Sequence, residues 1–220
     1  MKNINTLLFD LDGTLVDTNE IIIRSFLYTF KVHLPDIDIS RDAIINHIGP
    51  PLNVTFGRYV SSPFKIRAMM DTYREFYRNN EFAHFKLYDH VQKTLAYLNE
   101  KGFNLGIVTS KYMESARPSI EFFELGRWMD VIITLDDVEN PKPSREPVDK
   151  ALEHFDDVDG ALMIGDNTSD IEAGRQANIF SAGVNWSIKG AETLKNAKPD
   201  YMLETMASIY DILDIDIEEE

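Results

Sequence analysis

The 220-residue chain contains no cysteine. Disulfides, thiolate metal sites and a cysteine nucleophile are thereby excluded, so any bound metal has to be held by oxygen or by histidine. Positive charge is scarce too: 22 Lys and Arg stand against 37 Asp and Glu, the formal net charge is −15, and no long basic cluster occurs. Nucleic-acid binding rests on a basic surface, and no nucleic-acid partner is expected. Long hydrophobic runs are missing as well. No stretch reaches the length of a membrane span, and the N-terminus lacks the basic segment, apolar core and small-residue cleavage site of a signal peptide, which predicts no membrane partner and a cytoplasmic location. His33, His47, His84, His90 and His154 are scattered without zinc spacing and suggest no histidine metal centre. Internal repeats and low-complexity segments are also absent.

What is present is ample apolar material. Hydrophobic residues make up 44% of the chain, enough for a large core in one domain or in a domain carrying an insert. Runs rich in Leu, Ile and Val at about 5–9, 104–109, 131–135, 161–165 and 179–184 read as buried strands, and segments 88–101 and 146–155 carry helical spacing, as in Val91, Leu95 and Leu98. This alternation predicts an α/β fold, a doubly wound, Rossmann-like parallel sheet with helices on both faces. One region departs from it. Residues 18–84 are helical in pattern without a convincing strand: "NEIIIRSFLYTF", "SRDAIINHI" behind a Ser40 cap, and "SPFKIRAMMDTYREFYRNN" with Pro63 near its start, with "GPPLN" as a turn between the last two. That is too long for an ordinary connection. The expected organisation is a core of 1–17 and 85–220 with an inserted helical cap of 18–84. Tyr73, Phe76, Tyr77, Phe82 and Phe85 are expected to pack in or beside the cap, and the acidic tail "DILDIDIEEE" to be a solvated or frayed end.

In such sheets ligands bind outside the carboxyl ends of the strands. The first strand ends in Asp10, Leu11, Asp12, Gly13, Thr14; a later one in Thr109, Ser110, Lys111; another in Gly165 and Asp166, followed four residues on by Asp170. After the strand near 131–135 comes Lys142 in "ENPKPSREP", whose prolines predict a stiff, extended segment. Four carboxylates cannot crowd together ionised without a compensating charge, so they share protons or surround a hard cation, and Mg2+ suits such oxygen ligands best. A hydroxyl and an ammonium, Thr109 and Lys142, suit phosphate oxygens. Asp10 and Asp12 would project to one face of a strand, and a bend at Gly13 lets them reach different atoms of one substrate. One can act as nucleophile while the other moves protons.

The four stretches "FDLDGTL", "GIVTSK", "NPKP" and "IGDNTSD" resemble, in order, the four motifs of the haloacid dehalogenase superfamily of phosphohydrolases. The resemblance implies that Asp10 attacks phosphorus to form an aspartyl-phosphate, while Asp12 protonates the leaving group and then activates water. It implies that Thr109 and the Ser110 amide bind the transferring group and that Lys142 balances its charge. Magnesium would be held by Asp10, the carbonyl of Asp12 and Asp166, with Asp170 placing Lys142 or a metal-bound water. A helical insert between the first two motifs is similar to the family's C1 caps, which close over the site and set substrate choice.

Within the superfamily, "NHIGPPLNVTF", "DTNE", "GIVTSK" and "NWSIKG" are similar to bacterial inorganic pyrophosphatases of the PpaX type, with phosphoglycolate phosphatases, or phosphatases of other small phosphomonoesters, as the alternative. The expected partner is a small phosphorylated substrate, and the chain is expected to be a monomer or homodimer. A leaving phosphate must meet cations, for which Lys111, Arg58 and Lys189 are candidates, and the Gly49 turn could present backbone amides. A sugar-phosphate mutase is disfavoured by Ile22, where that branch has histidine. A dehalogenase is disfavoured by the acidic metal set. The rival of another class is a phosphate-sensing or partner-binding module that retains only the fold. Its sequence sign would be loss of Asp10, Asp12 or Lys142, and all three are present.

Overall fold

The computed structural model describes residues 3–215. The chain divides into two compact units, Met1–Val16 with Leu87–Glu220, and Asp17–Lys86.

The first unit is built on a sheet of β1 (Thr6–Phe9), β4 (Asn104–Val108), β5 (Val131–Ile133), β6 (Ala161–Gly165), β7 (Phe180–Val184) and β8 (Tyr201–Leu203), in the order β5-β4-β1-β6-β7-β8 with every pair parallel. Two further strands, β2 (Val16–Asp17) and β3 (Lys86–Leu87), form a separate two-stranded sheet. The chain moves outward from β1 through β4 to β5, then crosses to the other side for β6, β7 and β8. Strand order therefore reverses at β1, where the crevice that receives ligands in open parallel sheets lies.

Burial on both faces explains the apolar runs. Leu7 and Phe9 belong to one cluster with Leu105, Ile107, Leu162 and Ile164, while Leu8 lies in another with Val108 and Met163, so successive residues of each strand serve opposite layers. The first layer is covered by α5 (Val91–Glu100), α6 (Met113–Phe122) and α10 (Ile209–Ile212), through Val91, Leu95, Leu98, Ala116, Ile120 and Ile209. The second is covered by α7 (Glu146–Leu152) and α8 (Thr168–Gln176), through Val148, Ala151 and Ala173, with Ala177 capping the end of α8. A short helix, α9 (Ala191–Asn196), precedes β8.

Two expectations are corrected here. Strand β8 is absent from the expected set because its Tyr-Met-Leu, with Tyr201 and Met202 half-buried, offers no run of Leu, Ile and Val of the kind that marks the equally short edge strand β5. The expected frayed tail is not frayed over 211–215: Asp211 and Ile212 end α10, and Ile212, Leu213 and Ile215 pack against the first core layer. The remainder of that charge run, 216–220, lies outside the described residues.

The second unit contains α1 (Asn19–His33), α2 (Arg41–Ile45), α3 (Leu52–Gly57) and α4 (Pro63–Asn80). Ser40 and Ser62 start α2 and α4 by accepting hydrogen bonds from the Ala43 and Lys65 amides, and Pro63 takes the first-turn position that needs no N–H. Helix α3 was not expected. Its start is hidden by Pro50 and Pro51, yet Pro51 is its N-cap, and Thr55 and Phe56 drive its inner face into the core. Phe56 packs edge-on against Phe26 at 5.5 Å, and Phe26 meets Tyr73 at 4.9 Å, so one aromatic cluster ties α1, α3 and α4. Phe76 stacks on Tyr28, and Tyr77 and Phe82 both meet Phe85.

Phe56 is fully buried at the centre of that cluster. Phe56→Ala should lower stability by about 3 to 5 kcal/mol in denaturant unfolding, the cost of an unfilled aromatic site.

Candidate active site

Asp10 is the first residue beyond β1. Phe9 is in register with Ile107 of β4 and Ile164 of β6, and the Asp10 N–H donates to the Ile164 carbonyl at 2.9 Å, which sets the side chain at the sheet's carboxyl end between two strands. Its carboxylate is buried and meets Lys142. The Lys142 ammonium donates to Asp10 Oδ1, Asp170 Oδ1 and the Val108 carbonyl, each at 2.7 Å. Three donors thus meet three acceptors, and the lysine is held at a single point although its parent loop is on the surface. Asp166, after β6, completes the group: Asp10, Asp166 and Asp170 each place a carboxylate oxygen within 4.8 Å of the others.

Local structure explains how such a cluster forms. Asp170 is the third residue of α8, where one oxygen accepts the Asn167 N–H at 3.0 Å as part of a capping box while the other holds Lys142. Glycines make the room. Gly13 has φ +86°, and a Cβ there would lie 2.3 Å from Asp166 Oδ2; a Cβ on Gly165 would lie 2.2 Å from Asp170 Oδ2. Ser187, in the segment after β7, donates to the Asp166 carbonyl at 2.7 Å.

The Lys142 segment is not extended, as its prolines suggested, but a turn in which the Ser144 N–H donates to the Pro141 carbonyl at 3.0 Å, with a cis Lys142–Pro143 peptide. Hydrogen bonding within the loop overrides the extended bias. Glu146 accepts from the Glu139 N–H, the Asn140 N–H and Asn140 Nδ2, and these donors hold its carboxyl down at about 2.

Asp12 has a different partner. Its Oδ1 lies 2.8 Å from Lys111 Nζ, so two aspartates two residues apart are held by two different lysines. The turn that follows Asp12 is fixed by the Gly13 N–H, which donates to the Val16 carbonyl at 2.8 Å. Thr109 is buried at the end of β4; its N–H donates to Ile133, and its hydroxyl accepts the Lys111 N–H at 3.2 Å, with Ser110 in the intervening position. Lys189 opposes the upward shift of Asp166, and its N–H donates to Ser187 Oγ at 3.3 Å. Gly49 and Arg58 belong to the second unit: Gly49 has φ +116° ahead of Pro50, and Arg58 Nη1 lies 3.4 Å from His47 Nδ1. Residue patterns gave no sign of Ser187 or the Val108 carbonyl, and Glu146 was missed as well. The one usable hint was Glu146 itself, a carboxylate in the first turn of a predicted helix beside the "NPKP" loop.

Electrostatics set what the cluster can hold. Burial pushes the Asp10 carboxyl up to about 7, with Asp170 and Asp12 adding to the rise and Lys142 opposing it. Burial likewise lifts Asp166 well above the carboxylate range, helped by Asp10 and Asp170. Burial works against the charge of Lys142, and Asp10 with Asp170 overcome it, so the amine is held more firmly protonated than usual. With every group ionised, Asp10, Asp166 and Asp170 against Lys142 sum to −2. A divalent cation cancels that charge, and a donor set made only of oxygens suits a hard one.

The family model for haloacid dehalogenase-like hydrolases matches residues 7–184, from β1 to the end of β7. The chain belongs to that family. Within these hydrolases it is similar to proteins named Pyrophosphatase PpaX: one from Anoxybacillus flavithermus is 44% identical, over 97% of this chain and 98% of the relative, and one from Halalkalibacterium halodurans is 42% identical, over 96% and 98%. Among solved structures, one described as a predicted phosphatase from Clostridium acetobutylicum is 29% identical, with a TM-score of 0.82 over 96% of this chain and 99% of its own. Another, described as a predicted phosphoglycolate phosphatase from Haemophilus somnus, has a TM-score of 0.86 at 24% identity, covers 96% and 99%, and shares the fold.

A hydrolase of this build should show an unusual stability profile when stripped of metal. Asp10 titrates near 7 in the fold against 3.8 in a free chain, so between these values the native state holds a proton that the unfolded state has released. Metal-free protein should therefore gain stability as pH falls from above 7 towards 4, on the order of 4 kcal/mol from this group. Asp10→Asn should flatten the slope. Denaturant unfolding in chelator across that pH range reads both.

Proposed function

We propose that the protein is a magnesium-dependent phosphohydrolase that acts through an aspartyl-phosphate on Asp10, with inorganic pyrophosphate as substrate and two phosphates as product. The observation that carries it is the division of labour at the end of β1: Asp10 is tied to Lys142 inside the buried acidic cluster, and Asp12 is tied to Lys111 outside it. The PpaX relatives, alike over nearly their full length, support pyrophosphate over other phosphate compounds.

A carboxylate oxygen of Asp10 attacks one phosphorus as the bond to the bridging oxygen breaks, and the departing phosphate takes a proton from Asp12. Asp12, now a base, removes a proton from water, which attacks the phosphorus of the aspartyl-phosphate and returns Asp10 as a carboxylate. Thr109 and the Ser110 N–H receive the equatorial oxygens of the group in transfer. Lys142 stays in place throughout and offsets charge on Asp10 and that group, a contribution that grows as charge spreads in the transition state. Asp10, Asp166 and the Asp12 carbonyl would hold Mg2+, which supplies further positive charge at the phosphoryl oxygens, and Asp170 keeps Lys142 aimed. Retention of Asp10, Asp12 and Lys142 weighs against a module that only senses phosphate.

Phosphate release from pyrophosphate, 2-phosphoglycolate and a set of sugar phosphates, compared by kcat/KM with magnesium, tests the substrate; pyrophosphate should lead by at least about a hundredfold. Asp10→Asn should cut the rate at least about a thousandfold. Full activity in that variant would refute the nucleophile, and a lead for 2-phosphoglycolate would leave the chemistry intact and replace the substrate.

A further inference from the structure

Two lysines serve the site, and they are committed very differently. Lys142 has spent its three N–H donors on Asp10, Asp170 and the Val108 carbonyl, so it cannot turn to a leaving group without abandoning one of them. Lys111 is anchored through its backbone: its N–H donates to Thr109 Oγ1 and its carbonyl accepts the Leu135 N–H at 2.8 Å. Its side chain spans from there to the Asp12 carboxylate, with both partners largely but not fully covered. A four-carbon stem on a fixed backbone lets the ammonium change partners without any movement of the loop.

We propose that Lys111 reads a second negative charge on the substrate by exchanging partners: it holds the Asp12 carboxylate in the free enzyme and passes to an anionic leaving group when one is bound, which releases Asp12 to take up a proton from solvent and deliver it to that group. The inference rests on the phosphoryl-transfer roles proposed above for Asp10 and Asp12. Its substrate class is phosphate compounds whose leaving group carries an anion of its own, a phosphate above all. A phosphomonoester of a neutral alcohol offers nothing to draw the ammonium away, so Asp12 stays engaged. Selection then comes from the core unit itself and acts on the step that uses Asp12 as well as on binding.

The test compares pyrophosphate with phenyl phosphate, whose leaving group carries no second anion in the substrate, in the full-length protein with magnesium. For Lys111→Met the ratio of the two kcat/KM values should fall by about thirtyfold or more, the worth of a charged hydrogen bond, with kcat for pyrophosphate falling as well as KM rising. Lys111→Arg should restore most of the ratio. Calorimetric titration with methylenediphosphonate and with orthophosphate gives a readout that needs no turnover: Lys111→Met should weaken the first by about tenfold relative to the second. An unchanged ratio in both measurements overturns the proposal, as does an equal loss on both substrates, which would mark Lys111 as support for Asp12 alone. If Asp10→Asn is inactive while Lys111→Met keeps the ratio, this inference fails and the phosphohydrolase proposal stands.

Discussion

A single ammonium among three buried carboxylates is the constraint around which the core unit is arranged. Lys142 cannot be removed without leaving Asp10 and Asp170 facing each other with no cation, and the carboxylates cannot all be ionised without more positive charge than one lysine provides. Both halves of this imbalance serve phosphate chemistry. The surplus of negative charge suits a divalent cation, which together with the lysine would make an anionic substrate welcome in a protein of net charge −15. The tension is stored in side chains contributed by β1, the end of β6, α8 and one loop, so it is the sheet's topology that keeps like charges together.

Much of this was legible in the sequence because the sheet is buried on both faces. Continuous apolar runs marked β1, β4, β5, β6 and β7, and each strand's end then pointed to the residues that follow it. Elements without such a signature escaped: β8 is a half-buried Tyr-Met-Leu with no Leu, Ile and Val run, and α3 starts behind two prolines that read locally as a turn. The site divides along the same line. Carboxylates, hydroxyls and lysines have recognisable side chains at recognisable places, whereas the Val108 carbonyl that completes the lysine's coordination belongs to a backbone group that every residue has. Ser187 acts on Asp166 across 21 positions, and nothing in the order of residues announces that contact. The Lys142 loop shows the opposite error, a local preference of proline overruled by the hydrogen bonds that Glu146 and Ser144 make.

The two glycines beside the carboxylates show how tightly the cluster is fitted. Gly13 and Gly165 leave empty the volumes into which Asp166 and Asp170 reach, so the smallest side chain at either place would collide with an acid oxygen. At Gly13 the positive φ adds a second demand, since the turn that follows Asp12 is a conformation other residues adopt at a cost.

Asp170 carries a further implication. One of its oxygens closes the first turn of α8 and the other restrains the ammonium, so a single side chain is both a folding signal and part of the reactive cluster. Asparagine there would keep an acceptor for the helix start while removing the charge beside Lys142, and alanine would remove both. The start of α8 asks only for an acceptor at that position, whereas the ammonium asks for a charge, so architecture and charge balance part company there by the exchange of a single oxygen.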